Sequence, residues 1–305
     1  MISIDMKRNI IFKVLFIIVV LVTGFISCNT NSNNKVGSDN NVRFELISYN
    51  KVHPLVDNID NPSCNLDIEV QFPIESDKYD LSSLQNIFQN CLLGTDYSGL
   101  SFEDAVEKYS SNYVSNYYRD AEVYRTTKPT GESEGEFDDI YHKDGEHVDL
   151  PEIFYSYYES IINSVVYNKF GIISFQVIQG NNKGGVVSYE NVRNYVLNLS
   201  TGDFLSEGDI FAAGYDTALR PIIQNCIMQQ NDVKTIDDLE NLGFFGVEEI
   251  IPNKNFMLTE AGIIYTFNKG EYSAYQLPAL EILIPYSYVR SILRENSIAN
   301  KLSQL

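Results

Sequence analysis

One cysteine near the amino terminus has the surroundings that covalent lipid attachment requires. Lys7, Arg8 and Lys13 flank an apolar run at residues 14–22, which is followed by Phe25-Ile26-Ser27-Cys28. A cationic start, a short apolar core and a small residue before the cut form a secretory signal, and a cysteine at the cut accepts acylation. The apolar run is also short for a bilayer span of roughly 20 residues. The sequence therefore predicts that residues 1–27 are a lipoprotein signal peptide and that the mature chain begins at a lipidated Cys28.

The nearest approach to a metal site lies in an acidic, glycine-rich stretch at residues 131–149. His142 and His147 occur there beside Asp144 and Glu146. Histidine and carboxylate side chains are ligands for Zn²⁺, but their spacing here fits no zinc or calcium motif. A run of like charges is more often a solvated surface. We therefore interpret residues 126–151 as an acidic loop, and we predict neither a metal nor a cofactor.

The sequence does not contain a recognisable set of catalytic residues. The chain contains no His-Glu-x-x-His motif and no phosphate-binding loop. Glycoside hydrolysis needs two carboxylates about 5–10 Å apart, and the 41 acidic residues do not single out a pair. Deacetylation needs a metal, for which only His142, Asp144 and His147 are candidates. We predict that the protein is not an enzyme, with a cell-wall glycan hydrolase or deacetylase as the alternative.

The composition limits the classes of partner. The chain of 305 residues has a formal net charge of −19, and loss of residues 1–27 removes one acidic and three basic residues, which lowers the charge to −21. Such a field repels nucleic acid and anionic lipid head groups and attracts cationic partners. We therefore exclude nucleic acid, and we expect contact with the membrane only through the lipid anchor on Cys28 in the bacterial cell envelope.

Three cysteines remain once Cys28 carries lipid: Cys64, Cys91 and Cys226. An odd number in an exported chain indicates that no disulfide framework holds the fold. A bridge between Cys64 and Cys91 is open, because it requires that their Cα atoms lie within about 7 Å. Cys226 falls on an apolar helical face, where it is predicted to be a small core residue.

The amino-terminal half predicts strands followed by helices. Residues 28–41 are almost all polar and predict a disordered tether. Residues 42–48 and 66–72 alternate apolar and polar side chains, the period of strands with one buried face. The first of these places Val42, Phe44 and Leu46 on the buried face. Helical stripes follow at residues 84–92 and 101–117, the second opened by Ser101 and Asp104 as a capping pair.

The carboxy-terminal half predicts a meander followed by a covering helix. Residues 154–166, 171–179 and 186–199 are rich in β-branched and aromatic residues and are separated by turn residues, which favours long antiparallel strands. Residues 217–230 carry an apolar helical face, and Pro221 is tolerated near the helix start. A short helix at 237–242, strands at 256–258, 262–267 and 280–284, and a helical end at 286–293 complete the pattern.

These patterns predict the fold class α+β, with antiparallel sheets covered by helices and two lobes. The predicted order is the signal peptide (1–27), the tether (28–41), a small α+β amino-terminal lobe (42–125), the acidic loop (126–151) and an α+β carboxy-terminal domain (152–305). Strand order and the interface between the lobes do not follow from the sequence.

Several stretches of the carboxy-terminal half occur in an order typical of one family. They are Gly184-Gly185, Tyr195-Val196-Leu197-Asn198-Leu199-Ser200-Thr201-Gly202-Asp203-Phe204-Leu205, Asp209-Ile210-Phe211, Asn255-Phe256-Met257-Leu258-Thr259-Glu260-Ala261-Gly262-Ile263-Ile264-Tyr265-Thr266-Phe267 and Ile282-Leu283-Ile284-Pro285-Tyr286-Ser287-Tyr288-Val289. In this order the segment resembles the carboxy-terminal domain of the RsiV-like family, extracytoplasmic domains of unknown general function. Residues 44–120 resemble the small domain that often precedes it and that also occurs beside a peptidoglycan deacetylase domain.

The resemblance implies a binding role, because the best-known member senses lysozyme through this domain. Val187 stands where the family commonly has a histidine, so any function of that histidine is absent. Tyr272 and Tyr275 lie where the family keeps an aromatic residue, and they are our predicted ligand contacts. The resemblance therefore leads us to expect a non-catalytic, lipid-anchored envelope lipoprotein that binds a cationic protein such as lysozyme, or cell-wall glycan. A passive structural lipoprotein is the second alternative.

Overall fold

The computed structural model describes residues 39–55, 62–127, 156–184 and 188–305, with the side chains of residues 122–127 left aside. The predicted signal peptide, Cys28, Val187, His142 and His147 lie outside these ranges, as does almost all of the predicted acidic loop. Residues Ser38–Leu305 form one compact unit. Within the described ranges, no helix has both the length and the apolar character needed to cross a membrane.

The described residues form eight strands and seven α-helices. The strands are β1 (Val42–Pro54), β2 (Ser63–Ser76), β3 (Tyr157–Lys169), β4 (Ile172–Lys183), β5 (Tyr189–Asn198), β6 (Phe256–Leu258), β7 (Gly262–Phe267) and β8 (Leu280–Pro285). The helices are α1 (Leu81–Leu93), α2 (Phe102–Thr127), α3 (Glu207–Ile210), α4 (Tyr215–Gln230), α5 (Ile236–Glu240), α6 (Tyr286–Val289) and α7 (Ile298–Leu302). Short 3₁₀ turns occur at Thr95–Tyr97, Val247–Glu249 and Arg290–Ile292.

The first five strands form one sheet in the order β1-β2-β3-β4-β5. The predicted meander is confirmed, because β3 pairs antiparallel with β4, and β4 antiparallel with β5. The sheet also contains one parallel pair, β2 with β3. The chain between these strands passes through α1 and α2, and such a crossover permits parallel pairing that a tight turn does not. Strands from both predicted lobes therefore lie in one sheet.

Helices α1 and α2 cover one face of this sheet, as their apolar stripes predict. The Asp80 side chain accepts a hydrogen bond from the Ser83 amide at 2.9 Å and caps α1. The Ser101 hydroxyl accepts from the Asp104 amide at 3.1 Å at the start of α2, which confirms the predicted capping pair. Phe88 of α1 is fully buried and stacks on Phe175 of β4 at 4.3 Å between ring centroids. Burial of one such ring contributes about 1.5–3 kcal/mol.

The predicted buried face of the first strand is wrong at Leu46, which is 57% exposed. The register of β1 on β2 shifts between Arg43 and Phe44. Phe44, Ile47 and Tyr49 all pack against the core under α1 and α2. Because neighbouring side chains of a strand point to opposite faces, the packing of Ile47 on the core places Leu46 on the solvent face.

The last three strands form a second, antiparallel sheet in the order β6-β7-β8. Helix α4 covers it with the fully buried side chains of Leu219, Ile223 and Ile227, together with the 6% exposed Cys226. The helix tolerates Pro221 in its second turn, as predicted. The predicted α+β class is confirmed, with one mixed and one antiparallel sheet covered by helices.

Asparagine side chains join the two sheets at the edge strand β5. The Asn255 amide oxygen accepts a hydrogen bond from the Asn194 backbone at 2.7 Å, and its NH₂ group donates to the carbonyl groups of Val192 and Thr266, both at 2.9 Å. The Asn268 amide oxygen accepts from the Val192 backbone at 2.7 Å. These side chains take the place of a further strand, so the backbone edge of β5 is satisfied at these positions.

The folded part begins before Val42. Asn40, which falls in the predicted tether, is 2% exposed. Its side chain donates to the Ile172 carbonyl at 2.7 Å and accepts from the Gly171 amide at 2.7 Å. The three cysteines in the described residues, Cys64, Cys91 and Cys226, are free thiols.

Candidate functional site

Tyr272 and Tyr275, the predicted ligand contacts, lie on one loop but in different environments. Tyr272 is half-buried and packs edge-on against Phe267 at 5.2 Å between ring centroids. Tyr275 is 72% exposed, and its ring lies against the backbone of Gly270. Tyr272 therefore packs beneath the loop, while Tyr275 presents its ring to solvent.

A second loop lies beside the tyrosine loop, and the two form one surface. We call residues 240–251 together with residues 270–277 the acid-rimmed patch. Leu242, Phe245, Ile251 and Tyr275 expose between 46% and 72% of their surface there. Four large apolar side chains on two adjoining loops are unusual for a solvated surface, and such exposure marks interaction sites.

Backbone hydrogen bonds hold the two loops of the patch together. The Phe245 amide donates to the Tyr272 carbonyl at 3.1 Å, and the Ala274 amide donates to the Gly243 carbonyl at 2.8 Å. Gly243 has φ +91°, a left-handed conformation that glycine adopts without a steric cost. The loops therefore present their apolar side chains in a defined arrangement.

Side chains of α4 hold the turn Val247–Glu249 at the rim of the patch. The Arg220 side chain donates to the Ile250 carbonyl at 3.1 Å. The Gln224 NH₂ group donates to the carbonyl groups of Val247 and Glu248, both at 2.9 Å. A turn fixed by a helix loses little conformational freedom when a partner binds it, which preserves affinity.

The rim of the patch is acidic. Glu240, Glu248, Glu249 and Glu271 are exposed, and the patch contains neither lysine nor arginine. None of these four carboxylates forms an ion pair with a residue that the structure describes. Exposed apolar residues within a charged rim are the arrangement of a protein-binding surface, and the rim selects a partner by its charge.

Leu242, Phe245 and Ile251 were not predicted from the sequence, because an exposed apolar residue resembles a core residue in a pattern of residue types. A local signal existed in Gly243-Phe244-Phe245-Gly246, where two aromatic residues stand between glycines and two glutamates follow. Phe244 of this pair packs against the core beside α4. Only the fold separates the buried aromatic residue from the exposed one.

A buried carboxylate lies apart from the patch, beneath α2. Glu159 of β3 is 9% exposed and accepts a short hydrogen bond from the Tyr109 hydroxyl. Burial raises the pKa of Glu159, while the Tyr109 hydrogen bond and the charge of Lys183 oppose the increase. Burial also raises the pKa of the Cys64 thiol to about 12 and that of the Tyr113 hydroxyl well above its ordinary value. The Cys64 thiol and the Tyr113 hydroxyl are therefore protonated at neutral pH, where a thiol is a weak nucleophile.

We expect Glu159→Gln to remove a pH dependence of stability. Because the pKa of Glu159 is raised on folding, the folded state binds this proton more tightly than the unfolded state does. The carboxyl therefore lowers the free energy of unfolding as pH rises through the ordinary glutamate pKa towards the raised value. The glutamine variant should gain stability relative to the parent over the pH range above the ordinary glutamate pKa of about 4.3. Urea unfolding across this range measures the difference.

The matched control is Glu69→Gln, since Glu69 is exposed on the neighbouring strand β2. It should not reproduce the gain in stability that is expected of Glu159→Gln. Equal pH dependence in the Glu159→Gln variant and the parent would contradict the assignment.

No group of three or more histidine, cysteine, aspartate or glutamate side chains in the described residues is arranged to hold a metal ion. Residues 131–135, Gly-Glu-Ser-Glu-Gly, fit the Gly-x-Ser-x-Gly pattern of hydrolases. This match was overlooked in the sequence. That motif requires a strand, a sharp turn and a helix. Residues 131–135, like His142 and His147, fall outside the described ranges.

Comparison with known proteins identifies one domain. Residues 208–287, which contain the acid-rimmed patch, match the model of a family described as protein of unknown function (DUF3298). A crystal structure of a DUF3298 member from Bacteroides fragilis NCTC 9343 superposes with a TM-score of 0.74 and 25% sequence identity, covering 88% of this chain and 100% of that one. No curated protein matches this chain.

A crystal structure of a DUF3298 protein from Pseudomonas aeruginosa PAO1 has a TM-score of 0.55 and 13% identity, covering 85% of this chain and 98% of that one. At this identity the likeness concerns the fold alone. Residues 208–287 are therefore similar to the DUF3298 domain, which is described as of unknown function, while the narrower resemblance to the RsiV-like family stays a prediction.

Proposed function

We propose that this protein is a non-catalytic, RsiV-like envelope lipoprotein that binds a cationic protein of the lysozyme class through the acid-rimmed patch. The observation that carries the proposal is the exposure of Leu242, Phe245, Ile251 and Tyr275 inside a rim of four glutamates that form no ion pair with a described residue. Aromatic and aliphatic anchors at the centre of an interface supply most of its binding energy, and the charged rim supplies selectivity.

The charge of the whole chain supports a cationic partner. At −19, the chain attracts a positively charged protein over a distance greater than a contact, and this raises the association rate at low salt. The effect falls steeply with ionic strength, whereas contacts with Phe245 and Tyr275 do not depend on salt in this way. Salt dependence therefore separates the field from the patch.

The proposed location follows from the amino-terminal signal. Acylation of Cys28 would anchor the protein in the bacterial cell envelope, on a tether that holds the folded part away from the bilayer. A lipid-anchored binder is placed where a cationic cell-wall enzyme arrives, and it needs no catalytic residue.

We expect the double substitution Phe245→Ala with Tyr275→Ala to weaken lysozyme binding by at least about 30-fold, as two central anchors together contribute about 2 kcal/mol or more. Calorimetric titration of the purified chain in a non-ionic detergent, at low and high salt, measures this change. Both side chains are largely exposed, so the melting temperature should stay within a few degrees of the parent value.

The matched control is Tyr189→Ala, which removes a 59% exposed tyrosine from β5, outside the patch. It should leave the affinity unchanged. Binding that vanishes at high salt would mean that only the acidic field attracts lysozyme. No binding at either salt would favour a passive structural lipoprotein, and equal loss in the control and the double variant would contradict the assigned surface.

A further inference from the structure

A cavity of about 410 Å³ lies at the turn between β3 and β4, where that turn meets α3 and α7. Phe170, Leu205 and Ile298 line its apolar part, and Asn198, Asp209 and Lys301 line its polar part. We call it the Phe170 pocket. Its volume lies within the range of about 300–1,000 Å³ typical of small-molecule sites. It shares no lining residue with the acid-rimmed patch.

The polar groups of the pocket have unused hydrogen-bonding capacity. The Asn198 amide oxygen accepts from the Ser200 backbone and hydroxyl, at 3.0 and 2.7 Å, while its NH₂ group has no acceptor among the described residues. One Asp209 oxygen accepts from the Ser206 amide and hydroxyl, at 2.8 and 2.6 Å, and the other accepts from no described residue. Lys301 is exposed and forms no ion pair with a described residue. A donor, an acceptor and a cation are therefore available to a ligand.

Phe170 supplies an aromatic wall in an unfavourable backbone conformation. Its φ of +55° is left-handed, and Gly171 follows with φ +80°. Two-residue hairpin turns of this kind favour Asn-Gly, since a bulky residue at positive φ is strained. The ring is 40% exposed at the mouth of the pocket. A large aromatic residue at a position suited to asparagine or glycine is an outlier of the kind that marks functional sites.

A second polar cleft, at residues 191–195 and 253–255, differs from the Phe170 pocket in how its polar groups are hydrogen-bonded. Its volume is about 350 Å³, and asparagine residues line it as well. There the amide groups of Asn255 and Asn268 already bond to the backbone of β5. Their hydrogen-bonding capacity is used within the fold, whereas the NH₂ group of Asn198 and the second oxygen of Asp209 have no partner in the described part of the chain.

We propose that the Phe170 pocket binds a sugar residue that carries a carboxylate. The Phe170 ring, with Leu205 and Ile298, packs against the C–H face of the sugar. Asn198 donates to a ring substituent, and the free oxygen of Asp209 accepts from a hydroxyl group. Lys301 pairs with the carboxylate of the ligand, which distinguishes an acidic sugar from a neutral one.

The test is a titration of the complete chain, purified in a non-ionic detergent, with N-acetylmuramic acid and with neutral N-acetylglucosamine, followed by ligand-detected NMR. N-acetylmuramic acid should bind saturably and more tightly than N-acetylglucosamine. Lys301→Gln should weaken binding of the acidic sugar by about tenfold and leave the neutral sugar unchanged. Phe170→Gly should abolish binding of both, and it should fold at least as well as the parent because glycine accepts the positive φ.

The control is Lys234→Gln, an exposed lysine outside the pocket, which should change nothing. A further titration adds soluble cell-wall glycan fragments to the complex with N-acetylmuramic acid. Displacement of the sugar by the fragments identifies a sugar within a polymer as the ligand. No displacement identifies the free sugar. Failure of both sugars to bind at millimolar concentrations overturns the proposal. Unchanged binding in the Phe170→Gly variant also overturns it. So does equal affinity for the two sugars, if the Lys301→Gln substitution changes neither affinity.

Discussion

Replacing Gly262 with alanine is expected to lower the free energy of unfolding by about 3 kcal/mol, the upper part of the range for overpacking. A Cβ atom at Gly262 would lie 2.2 Å from the carbonyl oxygen of Ile284 and 3.0 Å from the Cα atom of Pro285. Gly262 is the partner of Pro285 in the pairing of β7 with β8. Because backbone atoms of the neighbouring strand cannot rotate away as a side chain does, the pairing itself must open.

Urea unfolding of the parent and of Gly262→Ala measures this effect, with circular dichroism as the signal. The matched control is Gly208→Ala in α3, where the nearest atom to the added Cβ, apart from adjoining residues, would be the Ser206 hydroxyl oxygen at 3.6 Å. That change should be neutral or stabilising by up to about 1 kcal/mol. Equal unfolding free energies for Gly262→Ala and the parent would contradict the close approach of β8.

Glu207→Ala is expected to destabilise the fold by about 3–5 kcal/mol, since it leaves buried donors without a partner. Glu207 is 3% exposed. Its carboxylate accepts from the Tyr215 hydroxyl at 2.6 Å, the Tyr265 hydroxyl at 3.0 Å and the Lys254 amide at 3.0 Å. Burial and the nearby carboxylate raise the pKa of Tyr215 to about 12 and that of Tyr265 further, so both hydroxyl groups remain donors at neutral pH.

Three variants separate the contributions at this carboxylate. Glu207→Gln keeps one acceptor oxygen and should lose about half as much stability as Glu207→Ala. Tyr265→Phe removes one donor but leaves the carboxylate two partners, so it should cost about 1–2 kcal/mol. Thermal unfolding at neutral pH measures all three. A Glu207→Ala variant as stable as Tyr265→Phe would show that the carboxylate does not join α3 to α4 and β7.

Local patterns of residue types were sufficient for most elements. The alternation at residues 66–72 corresponds to β2, and the stripe at 101–117 to α2, because side-chain period reports which face of an element leaves water. The Ser101 cap and the positive φ of Gly202, at +77°, were also predictable, since both depend on residues adjacent in sequence. The prediction failed at Leu46, because the side chains of β1 that pack against the core change from even to odd positions between Phe44 and Ile47.

The functional surface was only partly predictable. Tyr275 was identified through a resemblance, and the structure exposes it, while Tyr272 lies half-buried beneath it. Phe245 and Ile251 were missed because hydrophobicity does not state whether a residue faces a core or solvent. The Phe170 pocket was missed because its residues are about 130 positions apart in sequence, from Phe170 to Lys301.

The α+β class, most strands and helices, and the strongly negative charge could all be predicted before the structure was known. These properties follow from composition and from contacts between residues close in the chain. Three features emerged from the folded structure alone: β2 lies parallel to β3, asparagine side chains join the two sheets, and certain apolar residues remain exposed on the patch. Each of these depends on contacts between segments far apart in sequence, which a local pattern does not contain.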